Sequence, residues 1–304
     1  MAKSNQERDY HIFEEYAYFL VDEAQRKRAT DIFKLGGNVY AFDSTTIDLC
    51  LNVFWWAKFR KKKGGIKVHT LYDVETQIPK FFHITEAKVH DSKAMKEIPY
   101  EPSAYYIFDR GYNDFKSLYH IHLVKAKFVI RAKNNLKYKA VKWKRRLPEN
   151  VLSDSTIELT GHYPHKYYPE QFRLVRYWDG EQKREFIFIT NAMDISALQV
   201  AELYRNRWKV ELFFKWIKQH LKIKKFWGTT ENAVRIQIYS AICAYCLVAI
   251  IQHDMHLSRS TYEVLQILSI SLTDKTHLRD LLESTNVQYD KDRCDLDGQL
   301  SFNF

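Results

Sequence analysis

The chain has 304 residues, 46% of them hydrophobic and 15% aromatic, which is enough for one large domain with a sizeable core and excludes wholesale disorder. Only 9 glycines and 6 prolines occur and no internal period is visible, which excludes a linker-rich or repeat protein. A formal net charge of +10 favours polyanionic partners, because each phosphate neutralised by Lys or Arg releases a counterion.

In chain order, residues 7–30 have a helical, amphipathic pattern, with Phe13, Tyr16, Phe19 and Leu20 set against a charged side. The start lacks the apolar stretch of a signal peptide. Gly36-Gly37 breaks the helix, and Val39–Phe42 follows as a short strand that delivers Asp43 at its end. The basic run Lys58–Lys63 with Gly64-Gly65 is expected to be a loop. Beyond it, Ile66–Tyr72 and Lys80–Thr85 alternate like paired strands around a turn at Gln77-Ile78-Pro79. A short helix is predicted from His90-Asp91-Ser92 through Met95, capped by Asp91 or Ser92. Ala104–Phe108 is a buried-type strand ending at Asp109. A helix from Asn113 or Asp114 to about Lys125 and a strand at Phe128–Ile130 complete a mixed sheet with helical cover.

Residues 134–190 change character. Thr156–Thr160, Phe172–Trp178 and Arg184–Thr190 alternate like strands and are separated by turns, so this stretch is expected to be an antiparallel β insertion. One long helix is predicted from a cap at Ser196 to about Ile223, a second over roughly 231–253, and a shorter one from about Ser260. The tail after Asp290 is polar and expected to be loosely held. Cysteines stand at 50, 243, 246 and 294. The CxxC spacing of Cys243 and Cys246 lies within a helical run, without a second pair or a nearby His to complete four zinc ligands, and so points to two buried thiols. Ala241–Ile251 is apolar but too short to span a bilayer. The expected divisions are 1–35, a helical segment; 36–133 and 191–256, the two parts of a core; 134–190, the insertion; and 257–304, a C-terminal helical region and tail.

On a helical wheel, Val210, Phe214, Ile217 and Leu221 fall within about 40° of Leu203 as a core stripe. Tyr204, Arg207, Glu211 and Lys218 form a second stripe beside it, at the lip of the sheet, where side chains can meet strand ends. Open α/β sheets place ligands at those ends, and there Asp43 and Asp109 stand. Three carboxylates meeting at such an edge repel one another without a metal and suit a hard divalent cation. Taken singly, each aspartate fits a turn or cap, Glu211 fits a surface pair with Lys215, and Arg207 with Lys218 fits a solvated face. Only the combination points to chemistry.

That combination resembles the DDE transposases of bacterial insertion sequences, specifically insertion sequence family four. The resemblance rests on Ala41-Phe-Asp-Ser-Thr-Thr-Ile-Asp-Leu49, on Tyr106-Ile-Phe-Asp-Arg-Gly-Tyr112, and on Tyr204-x-x-Arg207-x-x-x-Glu211 with Lys218 seven residues on, the family's Tyr-Arg-Glu-Lys signature. Trp208–Lys218 and Gly228–Ala233 add to it, and the match runs from about residue 7 to 282. It implies a ribonuclease-H-like fold with a β insertion between the second and third acids, and Asp43, Asp109 and Glu211 as catalytic ligands of Mg²⁺ or Mn²⁺, two ions being expected. It also implies that Tyr204, Arg207 and Lys218 hold DNA phosphates. The implied activity is cleavage at transposon ends and strand transfer into target DNA, in the bacterial cytoplasm on the nucleoid, with a homodimer in the DNA complex and no membrane. A ribonuclease-H-like nuclease and an inactive transposase-derived DNA-binding protein are the alternatives. Relatives usually carry a further N-terminal region, whereas only about 35 residues precede the first strand here. Little preference for cognate ends is therefore expected, unless residues 134–190 or the C-terminal helices read them.

Overall fold

A computed structural model describes residues 2–30, 32–50, 52–60, 63–220, 226–259, 261–271 and 275–284. The chain divides into two compact units, Met1–Cys246 and Leu247–Phe304. The expected polar tail after Asp290, Cys294, the last turn of the helix predicted to reach Ile223, and Lys61-Lys62 of the basic run lie outside the described residues.

The first unit opens with α1 (Ala2–Glu7) and α2 (His11–Lys27). The face that α2 buries is Ala17, Leu20, Val21 and Ala24, whereas Tyr16 and Phe19 are exposed and stack on each other. Of the apolar stripe Phe13, Tyr16, Phe19 and Leu20, only Leu20 is fully buried: small side chains allow the helix a closer approach. Gly36, at φ +67°, makes the turn into the sheet, and a Cβ on Gly37 would sit 2.2 Å from the Ser103 carbonyl oxygen. That contact is what brings the chain alongside the segment entering the second acid-bearing strand.

The strands are β1 (Val39–Leu49), β2 (Lys58–Arg60), β3 (Lys63–Asp73), β4 (Pro79–Glu86), β5 (Tyr105–Phe108), β6 (Lys127–Arg131), β7 (Tyr138–Trp143), β8 (Val151–Leu159), β9 (Phe172–Asp179) and β10 (Arg184–Thr190). Among the described residues they form one sheet of ten, in the order β2-β3-β1-β5-β6-β10-β9-β8-β7, with β4 also paired to β3. β1, β3 and β4 run antiparallel while β1, β5 and β6 run parallel. This is the ribonuclease-H-like mixed sheet that the resemblance implies. Two local expectations are corrected. Gly64 and Gly65 belong to β3, paired with Asp48 and Leu49 of β1, so the predicted basic loop becomes in part the β2–β3 hairpin. Residues 134–190 are indeed antiparallel, but they contain β7 and a short helix, α5 (His162–Tyr167), neither of which was read from the pattern. β10 pairs with β6, so these strands extend the core sheet.

One face of the sheet carries α3 (Asp91–Ala94) and α4 (Phe115–Leu123) over a core that includes Phe42, Tyr106, Phe108, Phe128, Leu118 and Ile121. The cap of α3 is His90, whose ring accepts from the Ser92 amide, and not Asp91 or Ser92. Asp114 caps α4. On the other face, the helix predicted to be continuous from Ser196 is two helices, α6 (Ala197–Arg205) and α7 (Trp208–His220). Ser196 closes a capping box with Gln199 at the start of α6. The break has a local cause. The Asn206 side chain donates to the Glu202 carbonyl, the Asn206 amide turns to Leu203 and the Arg207 amide to Tyr204, which tightens the chain into a three-residue turn. Leu203, Val210, Phe214 and Ile217 are all buried, as their spacing predicts.

The next helix, α8 (Glu231–Asp254), is long and apolar enough by length and composition to cross a membrane, and 61% of its most apolar window is buried inside the fold. The short apolar run 241–251 is thus part of a 24-residue helix. Cys243 and Cys246 on it are free, buried thiols, and burial pushes the Cys243 thiol up to about 11. The second unit has its own core, in which Val248 meets Val264 and Ile267 of α9 (Thr261–Ser271) and Leu282 of α10 (Leu278–Ser284).

Candidate active site

The parallel pairing of β1 with β5 runs from Val39 with Tyr105 to Phe42 with Phe108. Asp43 and Asp109 are therefore the first residues past the paired stretch on both strands. β5 ends there, but β1 does not: Asp43 lies within an eleven-residue strand that continues along β3 alone. Strand alternation sends Asp43 to the face covered by α6 and α7, and its neighbour Ser44 to the opposite face.

The four residues of the predicted lip stripe approach this edge from the α6–α7 side. Arg207, in the tight turn between the helices, donates to Asp43 Oδ2 at 3.0 Å and to Glu211 Oε1 at 2.6 Å, bridging the first and third acids. The Tyr204 hydroxyl donates to Asp109 Oδ1 at 3.2 Å, and the Tyr204 ring packs on Phe188. Lys218 Nζ donates to the Thr46 carbonyl of β1 at 2.9 Å. Glu211 is thus a partner of Arg207, not of Lys215. The structure brings all six predicted residues to one edge of the sheet, and it shows carboxylates where the sequence reading expected phosphates to meet Tyr204 and Arg207.

The electrostatics follow from burial. Asp43 is raised from 3.8 to about 6, chiefly by burial; Arg207 and the Ser44 amide oppose the rise, while the charges of Glu211 and Asp109 add to it. Burial works against the charge on Arg207, but Tyr204, Glu211 and Asp43 together hold its pKa above the ordinary value. Burial lifts the Tyr204 hydroxyl to about 12, so it stays a donor. Arg207 Nε is buried without a hydrogen-bond partner, although the guanidinium offers five donors.

A second set of groups stands on the far face of β1, and the sequence reading assigned it no role. Ser44 Oγ donates to Asp91 at 2.8 Å, and Lys67 Nζ lies 2.9 Å from the same carboxylate oxygen. Burial would raise the Asp91 carboxyl, but bonds from Lys67 and Ser44 hold it below the usual range. His69, beside Ser44 in the β1–β3 register, stacks on Phe42 and shares a hydrogen bond with Thr85, and burial drops its pKa to about 4. The buried Tyr112 hydroxyl lies in the field of Asp43, Asp91 and Asp109, which add to the rise that burial gives its pKa. The alternation of Lys67 and His69 along β3 was the available signal, but only the register shows that both face Ser44 and Thr46.

The donor set fits a hard divalent cation in its chemistry: all three acids offer oxygen, and Asp43 is a half-buried carboxylate whose charge is costly without a cation nearby. As the side chains stand, Arg207 supplies that positive charge, and among the described residues no three His, Cys, Asp or Glu side chains gather closely enough to hold an ion.

Comparison with known proteins agrees with this geometry. Residues 34–247 match the family model described as a transposase DDE domain. The chain is 33% identical over 290 residues to the protein named "Putative transposase y4zB" of Sinorhizobium fredii, covering 92% of this chain and 78% of that one. It is 28% identical over 251 residues to "Probable transposase for insertion sequence element IS5377" of Geobacillus stearothermophilus, covering 82% and 65% of the two chains. To "Putative transposase for insertion sequence element IS4SA" of a Synechocystis species it is 25% identical over 286 residues, covering 90% and 77%. The chain belongs to the DDE transposases of insertion sequences, a family of polynucleotidyl transferases that act on DNA and use divalent metal ions.

Proposed function

We propose that Asp43, Asp109 and Glu211 are the catalytic acids of this transposase and would hold Mg²⁺ or Mn²⁺, and that the enzyme cuts DNA at transposon ends and joins the freed end to target DNA. The observation that carries the reading is the Arg207 bridge between Asp43 and Glu211, with Tyr204 on Asp109, at the edge where β1 and β5 part. When bound, divalent ions at such an edge activate a water or a 3′-hydroxyl and stabilise the leaving oxygen of phosphodiester displacement. The chain's own groups supply positioning. Arg207 offers a planar fork that suits a phosphate as well as a carboxylate, Lys218 a point charge, and Tyr204 a hydroxyl that burial keeps protonated. A phosphate arriving at the edge competes with Glu211 and Asp43 for the Arg207 guanidinium, which frees both carboxylates for metal. DNA and metal therefore help each other bind.

In this reading residues 36–133 and 191–256 form the catalytic core, 134–190 interrupt it, and 1–35 and 257–304 flank it. The protein works in the bacterial cytoplasm on nucleoid DNA, as a homodimer in the DNA complex. The test is an in vitro cleavage and strand-transfer assay with defined ends and Mg²⁺. Asp109→Asn should abolish cleavage and leave DNA binding nearly intact. Cleavage by that variant at the wild-type rate would remove Asp109 from the site.

A further inference from the structure

A dense run of exposed positive charge that the active site does not use lies on and beside one hairpin. Between residues 133 and 146 stand Lys133, Lys137, Lys139, Lys142, Lys144, Arg145 and Arg146, all exposed, with no acid among them. Only one of the seven, Lys144, has an ion-pair partner among the described residues, the buried Asp154 at 3.1 Å. Glu158 lies across the ladder from Lys139, and it is engaged by Gln171 at 2.6 Å. Lys133 and Lys137 lie just before β7, Lys139 and Lys142 on it, and Lys144, Arg145 and Arg146 in the turn after it. β7 is an edge of the ten-stranded sheet, and among the described residues its outer side has no strand beside it.

The register ties this edge to the active site. Residues paired across a ladder point to the same face of a sheet. Ala41 of β1 pairs with Ile107, Ile107 with Val129, Val129 with Thr190, Thr190 with Arg173, Arg173 with Thr156, and Thr156 with Lys142. Lys142 thus belongs to the row and the face of Ala41, two residues before Asp43. Six strand spacings of about 4.8 Å put the two ends of the row at most about 29 Å apart, which is less than one turn of duplex, about 34 Å.

We infer that the β7–β8 hairpin, through Lys142, Arg145 and Arg146, is a second DNA-backbone contact, engaging the phosphates of the same duplex within about one helical turn of the bond to be cut. The inference rests on the transposase reading of the acidic edge. The partner is duplex DNA because the patch offers several cations, on the edge strand and the turn after it, within duplex reach of the phosphate chemistry. It has no groove and no donor pattern that would read bases. Lysines also blunt exposed edge strands against pairing with another copy, and the experiment separates the two roles.

The experiment measures binding of a 30-bp duplex of random sequence across a salt series, with the full-length wild type, a Lys142→Ala/Arg145→Ala/Arg146→Ala variant, and a charge-keeping Lys142→Arg/Arg145→Lys/Arg146→Lys variant. Lys144 is left in place to keep its bond to Asp154. Loss of three phosphate contacts lowers the slope of log K against log salt by about 2–3. The alanine variant should show that drop, and the charge-keeping variant should restore the wild-type slope. Both variants should still cleave at low salt. If the wild type shows a steep slope and the alanine variant keeps it to within about 0.5, the hairpin is not a DNA contact while the transposase reading stands. A retained slope accompanied by new aggregation would assign the cations to edge protection and overturn the inference. If the wild type itself binds duplex with no salt dependence, the DNA reading fails and this inference fails with it.

Discussion

Arg173 is the most heavily committed buried charge among the described residues, and replacing it should cost far more than a usual core substitution. Its side chain is 2% exposed and holds Asp154, itself 4% exposed, by two parallel bonds of 2.7 and 2.6 Å. A third and a fourth bond go to the carbonyls of Ile195 and Ala192, in the segment that leads into the Ser196 cap of α6. Arg173→Met keeps much of the volume but strands the carboxylate and both carbonyls. Breaking one side of a buried pair costs about 3–5 kcal/mol. Lys144 remains near Asp154, so the lower half of that range is expected, still a large part of a total stability of about 5–15 kcal/mol. Urea unfolding followed by tryptophan fluorescence measures it. Arg173→Met/Asp154→Leu should recover most of the loss, because no buried charge is then left unpaired and the released Lys144 is solvated. The pH dependence has a definite sign. Bonds from Arg173 and Lys144 outweigh burial and hold the Asp154 carboxyl below 3.8, so its contribution is whole above that pH and fades as pH falls further towards the folded-state value. Wild type should lose this increment in acid and the double variant should have none to lose. A single variant within 1 kcal/mol of wild type, or a double variant no better than the single, would refute the reasoning.

Three further outcomes are expected. Asp43→Asn should abolish cleavage yet raise the stability of the metal-free protein near neutral pH by about 2–3 kcal/mol, since a carboxyl lifted from 3.8 to about 6 penalises the folded state above pH 6 and progressively less below it; paired urea titrations at pH 7.5 and pH 4.5 check both size and sign. Gly37→Ala drives a methyl into the Ser103 carbonyl and should cost about 1–3 kcal/mol by forcing β1 from β5, read as a lower unfolding midpoint with an unchanged denaturant slope. Tyr204→Phe removes the hydroxyl on Asp109 while keeping the ring on Phe188, so it should change stability by about 1 kcal/mol or less and reduce cleavage more than binding in a single-turnover assay.

The elements that position the site were legible because their signals are local. The apolar runs 39–42 and 105–108 announce buried strands, and an acid closing each run is visible by eye. The second helix stripe was legible because 3.6-residue periodicity survives the turn at Asn206, even though the helix itself does not. The failures have a different origin. That Tyr16 and Phe19 of α2 face outwards depends on which neighbours pack there, which periodicity cannot say. β7 was missed because its buried partners, Ile157 and Leu159, lie on another strand, and an edge strand of lysines has no apolar alternation to display. The Ser44–Asp91–Lys67 network was missed because it joins three elements whose closeness exists only in the register.

The broken helix explains how one short signature can serve both acids and phosphates. In an unbroken helix Arg207 and Glu211, four residues apart, would form an ordinary surface pair. The turn at Asn206 and Arg207 instead lies level with Asp43, so the guanidinium reaches across to β1 while Glu211 follows in the first turn of α7. Tyr204, at the end of α6, is left to meet Asp109. The spacing of Tyr204, Arg207 and Glu211 is thus set by the turn as much as by the helical repeat. Asn206→Ala, which frees the Glu202 carbonyl and favours a continuous helix, should therefore leave stability near wild type or raise it. It should weaken the Arg207 contact with Asp43, and cleavage should fall although no acid has changed. Wild-type cleavage in that variant would mean that the helical repeat alone suffices to align the site.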